Sequence, residues 1–180
     1  SLVREGLPIG VFFGYVSGGV DPETGDIYYI DRNGESTFNP TADDRRIIGD
    51  PNPDFFYGMT NNFFYKNFSL SIFIQGVAGN EVFNATRIET EGLNSPKNQS
   101  AVVLDRWRSP GDVTDVPRAE FGNISNSLIS TRFVEDGSFL RFRAVTLGYT
   151  LPSNVLSKLK IQSLRFYVTG ENLFPITDYS

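Results

Sequence analysis

Residues 139–152 read FLRFRAVTLGYTLP. From Val145 onward the side chains alternate. Val145, Leu147, Tyr149 and Leu151 share one face and Thr146, Gly148 and Thr150 the other, which is the period of a β-strand. Just upstream the phase breaks, because Leu140 and Phe142 are apolar while Arg141 and Arg143 have the parity of Val145. Two readings account for the break. A strand that leaves one environment for another changes a face from charged to apolar, and a bulge near Ala144 shifts the alternation by one residue.

The same alternation recurs upstream as a hairpin. In residues 55–65 Phe55, Tyr57, Met59, Phe63 and Tyr65 share a face on which Asn61 is the exception. In residues 68–77 Phe68, Leu70, Ile72 and Ile74 share a face opposite Ser69, Ser71 and Gln75. Lys66-Asn67 is a two-residue turn, so Tyr65 and Phe68 lie opposite each other and the apolar sets merge. The other face, with Gly58, Thr60, Asn62, Ser69, Ser71 and Gln75, is small and neutral apart from Phe64 and Phe73. A soluble surface strand carries Lys and Glu there; a water-filled lumen suits hydroxyls and amides. A last strand spans residues 163–174, with Leu164, Phe166 and Val168 alternating with Arg165, Tyr167, Thr169 and Glu171.

Composition narrows the chemistry. The chain has 180 residues, no Cys and no His, which removes thiol nucleophiles, histidine bases and the usual zinc ligand sets. Its 16 Phe and 8 Tyr favour β structure. A formal charge of −5 argues against nucleic acid as a partner. No run of 18 apolar residues is present, so a transmembrane helix is not expected, a criterion blind to membrane strands.

Two long connections separate the strands. Residues 8–16 read as a strand, and residues 17–53 follow as a polar stretch holding a brief strand at 26–30. Within it Asp31, Asn33 and Glu35 have the alternating spacing of a calcium loop, but Ser36 stands where that loop turns on Gly and Ala42 where it needs Glu. The expectation is therefore no metal, with calcium as the weaker alternative and no cofactor. Residues 78–136 carry helical turns near 81–91 and 101–107. Trp107, between Arg106 and Arg108, is a sugar-stacking candidate or a pin for its own loop, the pin being favoured. Residues 152–162 form a compact turn with Val155, Leu156 and Leu159 at helical spacing.

Several stretches in order, among them EGLPIGVFFGY, DDRRIIGDPNPDFFYG, FFYKNFSLSIFIQGVAGNEVFN, FVEDGSFLRFRAVTLGYTLP and LRFYVTGENLFPITDYS, resemble the SusC/RagA family of TonB-dependent outer-membrane transporters. The resemblance implies an all-β fold of antiparallel strands within a large barrel of 22 strands, with long extracellular loops. Residues 1–180 then form its C-terminal portion, with the N-terminal plug domain and the final strand outside the chain. It further implies active import of oligosaccharides or peptides across the outer membrane of a Gram-negative bacterium, with no enzymatic step. TonB acts through the missing N-terminal part, a SusD-like surface lipoprotein is the partner, and outer-membrane lipid surrounds the wall.

On this resemblance the short turns face the periplasm and the long connections the outside. Val145, Leu147 and Tyr149 then face lipid, and Thr146 and Gly148 the lumen. The charged half, Arg141 and Arg143, is expected above the membrane, so that the phase break marks the membrane boundary. Lumen candidates for substrate contact are Arg141, Arg143, Arg165, Tyr167 and Glu171, with Trp107 in the loops. The alternative function is a soluble or surface-attached β-sandwich that binds carbohydrate. A glycoside hydrolase is weaker still, since no carboxylate pair stands out as acid and nucleophile.

Overall fold

The computed structural model describes residues 3–159 and 161–179. In chain order its strands are β1 (Phe12–Gly14), β2 (Val16–Val20), β3 (Ile27–Ile30), β4 (Ser36–Thr37), β5 (Arg46–Gly49), β6 (Phe55–Tyr65) and β7 (Phe68–Ala78). There follow β8 (Glu81–Phe83), helix α1 (Ala85–Glu91), β9 (Val134–Asp136), β10 (Phe139–Thr150), helix α2 (Ser153–Leu159), β11 (Arg165–Glu171) and β12 (Pro175–Thr177). They sort into two compact units: a sheet unit of residues 53–80 and 137–180, and a loop unit of residues 1–52 and 81–136.

The sheet unit is an antiparallel meander in the order β11-β10-β7-β6, with β12 pairing the start of β10. Its hairpin closes as the sequence predicts, Tyr65 opposite Phe68 across Lys66-Asn67. Lys66 has φ +52° and supplies the left-handed residue that a tight hairpin needs. The turn is clamped to the end of β10: Asn67 Nδ2 donates to the Thr150 carbonyl at 2.7 Å and Thr150 N–H to the Asn67 carbonyl at 2.9 Å. Helix α2 begins where Pro152 ends the strand, the Pro152 carbonyl accepting from Val155 and Leu156. Leu156 is buried; the side chain of Leu159, expected beside it, lies outside the described residues.

The phase break in β10 is a bulge. Phe142 faces Ile74 and Ala144 faces Phe73, leaving Arg143 as the extra residue against β7. On the other side, Asn172 N–H donates to the Arg143 carbonyl at 2.9 Å and Leu173 N–H to the Phe142 carbonyl at 3.0 Å, with Asn172 at φ +50°. The irregular joint between β11 and β12 thus matches the bulge, and pairing continues past it. This corrects the reading of the break as a change of environment along one face. The inserted residue restores the phase, so Leu140 and Phe142 stand on the face of Val145 and Leu147, and Arg141 turns to the face of Gln75 and Thr146.

The loop unit is assembled from short pieces: β1 with β5, the sheet β2-β3-β4, β8 with β9, and a parallel bridge between Tyr15 and Ser130. The predicted strand at 8–16 starts only at Phe12, as β1, and runs on through the Tyr15 bridge into β2, while β3 matches the one at 26–30. The helical turn near 81–91 divides into β8 and α1, and that near 101–107 is a 3-10 helix, Ala101–Asp105. Val11, Ile27, Tyr29 and Phe133 are fully enclosed. The Tyr29 hydroxyl donates to the Ser125 carbonyl at 2.6 Å, and burial pushes its ionisation well above the ordinary tyrosine range. Leu93, Val103 and Val116 form a second apolar cluster.

Candidate membrane wall and lumen face

Cross-strand register places whole rows of side chains side by side on the four-strand sheet. At the end with the tight turns, Tyr65, Phe68, Tyr149 and Phe166 form an aromatic row on one face. Phe68 and Tyr149 touch, with ring centroids 4.7 Å apart. The next row is Phe63, Leu70, Leu147 and Val168, and the third is Asn61, Ile72, Val145 and Gly170. Beyond the bulge the same face carries Met59, Ile74 and Phe142, then Tyr57, Gly76, Leu140 and Ile176. Phe142 packs on Phe174 at 5.6 Å, and the Tyr57 ring lies directly over Gly76, where a Cβ would fall 2.1 Å from it. Aromatic residues therefore bound the band at both ends.

The height of the band follows from strand geometry. Ten residue steps from Phe55 to Tyr65 at ~3.4 Å each give about 34 Å along the strand. At a tilt of ~40° this is about 26 Å in projection, the height of an outer-membrane apolar band. The face is open: Tyr65 is 71% exposed and Val168 70%. Among the described residues no helix is long and apolar enough to cross a membrane.

Known proteins share this arrangement. The chain is 36% identical over 193 residues to TonB-dependent receptor P3 of Formosa agariphila, covering 99% of this chain and 19% of that protein. It is 29% identical over 162 residues to TonB-dependent receptor SusC of Bacteroides thetaiotaomicron, covering 84% of this chain and 14% of SusC. In three dimensions it superposes on a chain of the RagAB peptide transporter with a TM-score of 0.80 at 26% identity, covering 94% of this chain and 19% of that one. No family model matches the chain.

The chain belongs to the SusC/RagA group of TonB-dependent transporters. It spans between about a seventh and a fifth of the length of the curated relatives it matches, and its four long strands are a stretch of SusC/RagA barrel wall.

The second face of this sheet is mainly polar through its middle, with Phe73 and Ala144 between Thr60 and Glu171 as the apolar exception. Asn62, Ser71, Thr146 and Thr169 form one row, and the Thr146 and Thr169 hydroxyls lie 3.0 Å apart. Nearer the turns stand Phe64, Ser69, Gly148 and Tyr167. Arg165 lies over Gly148, which has no side chain to obstruct it, and its Nη2 donates to Ser69 Oγ at 2.9 Å. Of the sequence candidates, Arg141, Arg165, Tyr167 and Glu171 all lie on this face. Arg143, in the bulge, instead donates to the Asn172 side chain. At the far end Phe56, Val77 and Phe139 form an apolar row, and the Arg141 guanidinium stacks 5.5 Å above the Phe139 ring. That aromatic end escaped the sequence reading, although Phe139 precedes Arg141 at the two-residue spacing that puts both on one side.

The loop candidates are committed to structure. Trp107 Nε1 donates to the Pro22 carbonyl at 2.8 Å, and its ring lies against the backbone of Gly25, where a Cβ would fall 2.4 Å away. Trp107 pins two distant loop segments together. Asp31 Oδ1 accepts from the backbone N–H of Asn33 and of Glu35, both at 2.8 Å, closing a tight turn. Among the described residues no group of three carboxylates converges for a metal.

Charge is concentrated at one place in the loop unit. Arg87 pairs with Glu91 through two nitrogens and reaches Glu135 with a third at 2.9 Å. Arg132 Nη1 donates to the Asn126 carbonyl at 3.3 Å, while its Nη2, 3.6 Å from Glu91, has no hydrogen-bond acceptor. Burial holds the Arg132 guanidinium below the ordinary arginine range, whereas hydrogen bonds to Glu91 raise Arg87.

Proposed function

We propose that the chain is the C-terminal wall and outer loops of an active importer in the outer membrane of a Gram-negative bacterium. The aromatic-bounded face of β6, β7, β10 and β11 contacts lipid, and the Thr146–Thr169 face lines the lumen. The observation that carries this reading is the aromatic row Tyr65–Phe68–Tyr149–Phe166 at one end of an apolar band interrupted only by Asn61. A water-exposed or sandwich sheet has no use for such a row on an uncovered face. The four strands are sequential members of a closed barrel of 22, with the plug and the closing strand supplied by other parts of the protein.

Cargo is an oligosaccharide or a peptide, driven inward through TonB and captured with a SusD-like lipoprotein. RagAB, which is a peptide transporter, supports the peptide branch, and similarity to SusC supports this family mode of import. The segment performs no covalent chemistry. Arg141, Arg165, Tyr167 and Glu171 meet the solute, and Arg143 holds the bulge that aims Arg141 inward. The sandwich alternative needs a second sheet over the apolar face, and the exposure of Tyr65 and Val168 speaks against one.

Thiol labelling tests the sidedness directly, because the chain contains no Cys of its own. In outer-membrane vesicles Leu147→Cys and Phe63→Cys should react with a lipid-soluble maleimide and resist a charged one. Thr146→Cys and Thr169→Cys should do the reverse. Equal reaction of all four with the charged reagent would sink the membrane reading.

A further inference from the structure

Charge is segregated within the sheet unit. Between Phe55 and Asn80, and again between Ala144 and Gly170, the sequence contains no Asp or Glu, although the chain as a whole carries a formal charge of −5. The acidic residues of the unit, Asp54, Glu171 and Asp178, lie towards the end where β6 begins and β11 gives way to β12. Its lysines belong to the opposite end: Lys66 to the β6–β7 turn, Lys158 to α2, and Lys160 to the same connection in sequence. The two turns leave from one edge, because Asn67 is hydrogen-bonded to Thr150 and Leu151 N–H donates to the Leu164 carbonyl at 2.9 Å. We propose that this edge is a docking rim for anionic phospholipid headgroups in the leaflet that the tight turns face, a proposal that rests on the membrane-wall reading.

Three observations carry the assignment. First, Lys66 stands on the aromatic row that ends the apolar band. Its Nζ is 5.4 Å above the ring of Tyr65, which is itself exposed. Aromatic rows of this kind settle at headgroup level, so the Lys66 stem runs along the ring and its ammonium leaves the band at the depth of the lipid phosphates. Second, the α2 connection adds apolar surface beside that row. Val155 and Ile161 are both exposed, whereas Leu156 is buried and holds the helix down. Exposed aliphatic side chains with lysines among them suit a segment lying in the interface plane.

Third, neither turn segment supplies a carboxylate to neutralise its lysines. A phosphodiester headgroup without a cation of its own gains the whole of that attraction, whereas a zwitterionic headgroup brings an ammonium that offsets it. The rim therefore selects among lipids by net headgroup charge. Arg165, the other cation at this end, is turned to the polar face and donates to Ser69 Oγ, so it takes no part.

The test uses the intact transporter in a non-ionic detergent, incubated with equimolar phosphatidylglycerol and phosphatidylcholine of identical chains, and counts lipid adducts by native mass spectrometry. Phosphatidylglycerol should be retained in excess. Each lysine near an anionic surface is worth about a fivefold preference, so the combined change Lys66→Asn, Lys158→Gln and Lys160→Gln should reduce the excess about tenfold or more. Lys97→Gln, the same charge removed from the loop unit, should leave it unchanged. Asn tolerates the φ of +52° at position 66. If the triple variant fails to assemble, Lys158→Gln with Lys160→Gln, which spares the hairpin turn, should still lower the excess severalfold. The proposal is overturned if both lipids are held equally, if the variant that assembles keeps the parent's preference, or if Lys97→Gln lowers it as much as the rim changes do. It is also overturned if inorganic phosphate in large excess displaces the lipid, which would mark a free-anion site. Adducts of both lipids without preference refute the rim and leave the wall reading intact, whereas no adduct of either kind counts against both.

Discussion

Val145→Arg puts the membrane reading under the greatest strain. Val145 lies in the third row of the apolar face, between Ile72 and Gly170, with no acidic side chain in that row. It is four residue steps from Tyr149 in the aromatic row, about 14 Å along the strand at ~3.4 Å per residue. At a tilt of ~40° that is about 10 Å of depth, close to the middle of a band about 25 Å tall. A guanidinium there is too deep to snorkel to either interface and should cost about 2–4 kcal/mol of folding stability, against about 0–1 kcal/mol for Tyr149→Arg at the boundary. Thr146→Arg, one residue away on the polar face, should stay within about 0.5 kcal/mol. Urea-titrated folding of the intact transporter into lipid vesicles reads all three. If Thr146→Arg costs as much as Val145→Arg, or Tyr149→Arg costs more, the assignment of faces is wrong.

Deleting Arg143 leaves Phe142 beside Ala144, opposite the consecutive Ile74 and Phe73, so Leu140 and Phe142 keep the face of Val145 and the variant, like Arg143→Ala, should retain heat-modifiable barrel mobility on gels; its loss in the deletion would contradict Arg143 as the extra residue. Glu91→Gln strips half-buried Arg87 and buried Arg132 of their shared buried carboxylate, and about 3 kcal/mol of local stability should go with it, read as faster hydrogen exchange across residues 85–91 and 131–136. Acid should loosen two surface turns. Asp44, held down mainly by the Thr41 N–H and hydroxyl, and Asp112, held down by the Arg108 and Ser109 N–H groups, both have lowered carboxyl ionisation. Their contribution is therefore full above the ordinary Asp value of ~3.9 and is lost as pH falls through the lower folded values. Amide exchange at residues 41–45 and 108–112 should rise over that interval and stay flat between about pH 5 and 7; a rise already at pH 6 would contradict the assignment.

What the residues disclose by themselves is mostly local. Alternation of period two, the two-residue turn and the matched parity of Tyr65 and Phe68 define the hairpin without distant information, and all three hold in the structure. The loop unit was opaque for the opposite reason. Its strands β8 and β9 are three residues each and pair across a gap of some fifty residues, so neither has a period of its own to read. Trp107 fell between: its type marked it as an anchor, but nothing in the chain said that its seat would be Gly25.

The bulge shows why a correct strand can still be misread. Parity along one strand fixes faces only while each residue has one partner, and whether Arg143 is paired or extra depends on β7, not on β10. The physical constraint that settles it is continuity. A lipid-facing band cannot admit Arg141 in the place of Leu140 without several kcal/mol of desolvation, whereas a bulge costs one unpaired residue, here relieved by Asn172 and Leu173 donating to the Arg143 and Phe142 carbonyls. A charged residue out of phase at the end of an otherwise apolar strand face is therefore better read as a register insertion than as a membrane boundary, and the same insertion is what carries Arg141 to the polar face, stacked on Phe139.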